Sequence, residues 1–90
     1  MFSLKYSKRF KKDLKSFKHD KDLFLVLENL LDILIKGKPL PKKYYNHSLV
    51  GEFKGCYECH LKSDVLFIYK KNKKELLILL LRIGSHSDLF

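Results

Sequence analysis

Three histidines fall in the second half of the chain, His47, His60 and His86. Asp64 follows His60 by four positions, and Arg82 precedes His86 by four. Imidazole titrates near neutrality, so two of them can take a proton from one oxygen and give a proton to another. A guanidinium is a planar, permanent cation suited to a phosphate. A carboxylate beside an imidazole orients it and favours its protonated form. Together these groups fit RNA cleavage without a metal. A base takes the proton of a ribose 2′-OH, which attacks the adjacent phosphorus. An acid protonates the leaving 5′ oxygen, and a cation stabilises the charge on the phosphorane. A lone histidine is more often a surface or satisfied core residue, and His19 reads that way.

A second motif points elsewhere. Cys56-Tyr57-Glu58-Cys59-His60 matches the C-x-x-C-H pattern of covalent haem attachment. The segment reads as a strand, in which Cys56, Glu58 and His60 share one face and Tyr57, Cys59 and Leu61 the other. Cysteines on opposite faces do not hold one haem. No secretory segment is visible, and the only methionine is Met1. A zinc site would need a second close pair of ligands. The better reading is one core cysteine and one incidental one, both reduced. No cofactor and no metal are expected.

The chain of 90 residues makes one domain, 1–90. Nineteen Lys and Arg against ten Asp and Glu give a formal charge of +9. That favours a polyanionic partner. The longest apolar stretch, 23–35, is too short for a bilayer and carries Glu28 and Asp32. The expected location is the cytoplasm, with no membrane contact.

The elements that must position the histidines follow from periodicity. Phe2, Leu4 and Tyr6 alternate with polar residues and predict a short strand. Ser7 caps a helix over 8–18, with Phe10, Leu14 and Phe17 on one side and a row of lysines on the rest. Asp20 or Asp22 starts a second helix that runs to about Lys36 and stops at Gly37 and Pro39. Residues 38–54 show no period and form a basic, aromatic loop with Lys42, Lys43, Tyr44, Tyr45 and His47. Residues 55–61 and 65–71 predict a hairpin, and 76–81 a buried strand ending at Arg82, with Gly84 expected to turn the backbone sharply before His86. The fold class is α+β: a mostly antiparallel sheet of about four strands with two N-terminal helices on one face, in the order β-α-α-β-β-β.

Tyr45-Asn46-His47-Ser48-Leu49, Gly51-Glu52-Phe53-Lys54-Gly55, His60 through Asp64, Ile68-Tyr69 and Arg82 through Phe90 resemble the YafQ branch of the RelE/ParE toxin superfamily. The R-x-G-[ST]-H-x-x-L-F ending and the H-x-x-x-D pattern are the most specific parts. The resemblance implies a RelE-like fold and a small bacterial toxin that enters the ribosomal A site and cleaves mRNA. It implies a cognate acidic antitoxin that neutralises the toxin, with operator DNA bound only through the complex of the two. Carried over by residue, it implies catalytic roles for His86, first choice as general acid, for His60 as partner and for Asp64 tuning it. It also implies His47 in substrate contact or proton transfer, Arg82 on the scissile phosphate, and Phe90 stacking on a base or bracing the site. Lys43 and Lys54 are further candidate substrate contacts. Phe53 stands where another aromatic is common.

Two other readings differ in class. The gyrase-inhibiting, ParE-like branch generally lacks this set of histidines. A non-catalytic basic module would grip nucleic acid through its lysines alone, and its affinity would survive loss of every histidine.

Overall fold

The Leu-rich run near the C-terminus becomes β5 (Leu77–Gly84), which sits between two neighbours in a five-stranded sheet. The computed structural model describes residues 1–90. Chain order is β1 (Ser3–Tyr6), α1 (Lys8–Lys15), α2 (Lys21–Ile35), β2 (His47–Ser48), β3 (Tyr57–Lys62), β4 (Val65–Asn72), β5 and α3 (His86–Leu89). Single 3-10 turns cover Lys42–Tyr44 and Gly51–Phe53. The sheet order is β1-β5-β4-β3-β2, with β1 parallel to β5 and the other pairs antiparallel.

The strand count is therefore five rather than about four. The additional strand, β2, is only two residues long and pairs His47 with Glu58 and Ser48 with Tyr57. Two residues carry no readable period. The α+β class and the antiparallel majority are as expected.

Local chemistry sets the helix ends. Ser7 Oγ accepts the Phe10 N–H at 2.9 Å and caps α1. The helix stops at Lys15, three residues short of the predicted end, and the next amides tighten into i→i−3 bonds from Ser16 and Phe17. Asp20 Oδ1 accepts the Leu23 N–H at 3.0 Å and caps α2. At the other end Gly37 takes φ +69, and the Gly37 and Lys38 amides reach back to the Leu34 and Ile33 carbonyls. This is the Schellman stop that glycine favours.

The principal core lies between the helices and one face of the sheet, with Phe10, Leu23, Leu30, Phe67, Ile78 and Leu80 fully enclosed. The opposite face carries a smaller cluster of Cys56, Leu66, Ile68 and Leu89. Cys56 and Cys59 thus point into different cores and stay unpaired.

Two features of β5 differ from expectation. Leu76 lies outside the strand with φ +52. Gly84 lies inside it, paired with Leu66, and its φ is not positive. The turn comes one residue later, at Ser85. What favours glycine is close packing: a Cβ at Gly84 would sit 3.3 Å from Asp88 Cβ and 3.3 Å from Leu89 Cδ2. Gly84 lets α3 lie down on the end of the strand.

Beyond Tyr6, β1 no longer covers the edge of β5, and α1 takes over. Ser7 N–H bonds to the Leu80 carbonyl, Ser7 Oγ donates to the Leu81 carbonyl at 3.0 Å, and the Ile83 N–H bonds to Asp13 Oδ2 at 3.2 Å. These side chains satisfy the backbone groups that a shorter edge strand leaves open. No helix is long and apolar enough to cross a membrane.

Candidate active site

Cross-strand register brings the polar residues into two rows. His47 pairs with Glu58, Glu58 with Ile68, and Ile68 with Arg82. His60 pairs with Leu66, and Leu66 with Gly84, two residues before His86. Neighbouring strands lie about 4.8 Å apart, so the second row places the base of α3 roughly 10 Å from the His60 backbone. Ile68 and Leu66 belong to the smaller core, so His47, Glu58 and His60 face away from α1 and α2.

The centre of the first row is Glu58, the one buried charged side chain. Its Oε1 lies 3.3 Å from His47 Nε2 and 3.7 Å from His60 Nε2. The two imidazole side chains are 49% and 42% exposed against 8% for the carboxylate. A ligand can reach both rings, whereas the carboxylate side chain is largely covered. His47 Nδ1 donates to the Tyr45 carbonyl at 2.7 Å, which fixes that proton. The 3.3 Å approach of His47 Nε2 to Glu58 Oε1 is an ion-pair distance once that ring is protonated. The arrangement sets one buried carboxylate against two solvent-accessible imidazoles.

His86 opens α3, where Ser85 and Asp88 cap each other's backbone: Ser85 Oγ accepts from Asp88 N–H, and Asp88 Oδ2 from Ser85 N–H, both at 3.2 Å. The His86 ring is exposed and packs on Phe90, with ring centroids 5.2 Å apart. Phe90 meets Phe53 edge-on at 5.7 Å. A C-terminal aromatic thus seats His86 against the 51–53 turn.

Asp64 and Arg82 sit differently from expectation. Asp64, in the β3–β4 turn, approaches the His86 backbone N–H at 3.5 Å rather than an imidazole. The carboxylate beside His60 is Glu58. Arg82 is not a free cation: its Nε and Nη2 donate to Asp13 at 2.6 and 3.2 Å. No buried side-chain nitrogen or oxygen lacks a partner. Nη1 has no protein acceptor, and the Arg82 side chain is 17% exposed. Lys43 lies in the loop beside His60, with Nζ 5.2 Å from the Tyr44 ring centroid. Lys54 is exposed after the Gly51–Phe53 turn.

Asn46 and Glu58 carry more of this site than their sequence context suggests. Asn46 Oδ1 accepts the Tyr69 hydroxyl at 2.9 Å and the Cys59 thiol at 3.4 Å. Burial pushes the Cys59 thiol up to about 12 and raises the Tyr69 phenol above its ordinary range. Both donors are therefore neutral and keep their protons for Asn46. Glu58 could be found by alternation, two residues from His60 on one strand face; Asn46 left no such signal. No group of three or more His, Cys, Asp or Glu side chains has the arrangement of a metal site.

The family model described as the bacterial toxin of type II toxin–antitoxin system, YafQ, matches residues 2–90. The chain belongs to the YafQ toxin family. The mRNA interferase toxin YafQ of Escherichia coli strain K12 is 37% identical over 89 residues, which covers 97% of this chain and 94% of that one. YafQ in the Escherichia coli DinJ–YafQ complex superposes with a TM-score of 0.86 at 33% identity, covering 100% of this chain and 99% of that one. A metal-bound toxin from Helicobacter pylori superposes with a TM-score of 0.89 at 43% identity, each chain fully covered. In this YafQ family member the five-stranded sheet, the two leading helices and α3 are all present.

Proposed function

We propose that this toxin is an endoribonuclease that cuts mRNA in the ribosomal A site, by attack of a ribose 2′-OH on the adjacent phosphate. The observation that carries the reading is the Glu58 oxygen shared by His47 and His60, two half-exposed imidazoles. The membership in the YafQ family supports it, as does the name mRNA interferase borne by the relative from Escherichia coli.

In this reading the His47–Glu58–His60 group accepts the 2′-OH proton, with His60 as the base and Glu58 as its reservoir. His86 is the general acid that protonates the leaving 5′ oxygen, held by the capped α3 and by Phe90. Asp64 acts on His86 through its backbone, fixing where the helix starts. Arg82, braced by Asp13, offers Nη1 to the phosphate, and Lys43 and Lys54 add positive charge around it. Phe90 stacks on a base or keeps the His86 ring in place.

The partners in this reading are mRNA, the ribosome and a cognate acidic antitoxin. The charge of +9 supports the last. So does an apolar hollow between β1, α1 and α2, lined by Leu4, Tyr6, Leu14, Phe24 and Leu31 among others. An antitoxin segment that folds on binding would cover such a surface. Operator DNA is bound only through the complex of the two proteins, and the location is the cytoplasm.

The test is primer extension on an mRNA under translation, wild type against His86→Ala. Codon-registered cuts that vanish in the variant support the reading. Equal cutting by both moves the acid away from His86, and no cutting by the wild type rejects the nuclease.

A further inference from the structure

Tyr45 stands where packing gives it no reason to be. Its ring is 68% exposed, yet its backbone is left-handed, at φ 47 and ψ 45. That conformation is strained for any residue with a Cβ, and strain of this kind collects at binding sites. The strain is held in place from several sides. The Tyr45 N–H bonds to the Lys42 carbonyl at 3.0 Å, and the Tyr45 carbonyl accepts from His47 Nδ1 at 2.7 Å. The next residue, Asn46, is pinned by the buried Tyr69 and Cys59. The Tyr45 ring meets His60 edge-on, with centroids 5.6 Å apart.

Beside this ring lies a hollow of about 290 Å³ lined by Lys43, Tyr45, His60, Leu61, Lys62 and Ser63. None of its lining residues is a carboxylate. Lys62 Nζ is taken by Asp20 at 2.7 Å, which leaves Lys43 as the available cation. An exposed aromatic on a pinned backbone, an ammonium with no carboxylate partner and an imidazole around one hollow match the chemistry of a nucleotide. Bases of single-stranded RNA are gripped by stacking on such rings, and the backbone by lysine. A backbone already fixed loses little freedom on binding.

We propose that this hollow is a nucleotide subsite for single-stranded RNA, in which Tyr45 stacks on the base beside the scissile phosphate and Lys43 meets the phosphate of that nucleotide. The placement beside a scissile phosphate rests on the endoribonuclease reading; the stacking does not. The ring's neighbour His60 then serves both the base-binding and the proton-transfer parts of the site.

The experiment measures binding of a fully 2′-O-methylated single-stranded RNA, which has no free 2′-OH to attack, by fluorescence anisotropy. Tyr45→Phe should bind as the wild type does. Tyr45→Ala should bind about 10-fold more weakly, the typical loss of one stacked base. Tyr45→Gly should show the same loss while melting no lower than Tyr45→Ala, because glycine accepts the left-handed backbone without strain. Lys43→Gln should weaken binding and lower the slope of log affinity against log salt by about one. Unchanged affinity in Tyr45→Ala and Tyr45→Gly overturns the subsite. So does a Tyr45→Gly protein that loses binding together with its cooperative melting transition, since Tyr45 is then structural. Tyr45-dependent binding by a protein that never cuts RNA would keep the subsite and reject only the nuclease.

Discussion

Asp13 holds Arg82 in a forked ion pair, with Nε to Oδ2 at 2.6 Å and Nη2 to Oδ1 at 3.2 Å. The same Oδ2 takes the Ile83 N–H at 3.2 Å. One carboxylate on α1 therefore closes the edge of β5 and aims the residue before it. A bulge between Ile68 and Tyr69 puts Leu81 out of register in the same place. Bulges of this kind re-aim a side chain at the rim of a site.

Asp13→Ala should destabilise the fold by about 2 kcal/mol, because a mostly covered guanidinium and an edge amide both lose their acceptor. Arg82→Met should cost less, since Asp13 keeps the Ile83 amide. The double variant should be more stable than the sum of the two losses allows, with a coupling of about 1 kcal/mol or more. Urea midpoints of the four proteins measure it. Strict additivity would mean that the pair contributes nothing beyond its separate contacts.

Glu58 is buried between two exposed imidazoles through a single oxygen. Glu58→Gln keeps the shape and removes the charge. The amide is a poor proton reservoir, so the single-turnover cleavage rate should fall by about 100-fold, the usual scale of a positioned acid or base. RNA affinity should change little, because lysines dominate it. A variant that cuts normally but binds poorly would reassign Glu58 to substrate binding.

The legible part of this architecture is what local pattern encodes. Ser7 and Asp20 announce their helices, Gly37 ends one, and alternation from Cys56 to His60 puts Glu58 and His60 on one face. What escaped depends on pairing across the chain. His47 meets Glu58 only through the register of the two-residue β2, and Asp13 meets Arg82 across 69 positions. Gly84 reads locally as a turn, yet its reason is the approach of Asp88 and Leu89. Asp64 is close to His60 in sequence, but the hairpin carries it to the backbone of His86.

Cys59 and Tyr69 predict the alkaline limb of stability. Burial raises the Cys59 thiol from 9.0 to about 12 and raises the Tyr69 phenol as well. Both are neutral in the fold and ionise more readily in the unfolded chain. The unfolded state sheds these protons first, so stability is at its full value below about pH 9 and falls as pH climbs toward 12. Urea midpoints at about pH 8 and about pH 10.5 should show the drop. Cys59→Ala should flatten part of it. A wild-type midpoint that does not move would show that neither group is protected in solution.

Asn46 supplies the oxygen that both of those buried donors use. Asn46→Ala strands a thiol and a phenol, which should cost about 1–3 kcal/mol. Asn46→Asp retains an acceptor and should recover most of that loss. Thermal melts compare them. Equal melting of Asn46→Ala and wild type would mean that water replaces the amide at no cost.

The α3 capping box gives the sharpest separation of activity from stability. Helix α3 is four residues long and carries His86 at its start. It is too short to hold itself together by helix propensity, so its geometry depends on Ser85, Asp88 and the packing of Leu89 on Gly84. Ser85→Ala removes one arm of the box and should weaken the helix start by about 1 kcal/mol. Little of the main core touches α3, so the global urea midpoint should barely move while the cleavage rate falls several-fold. The His86 side-chain resonances should broaden or shift, while those of His47 and His60 stay in place. Loss of activity with unchanged His86 resonances would instead assign Ser85 a direct role at the substrate.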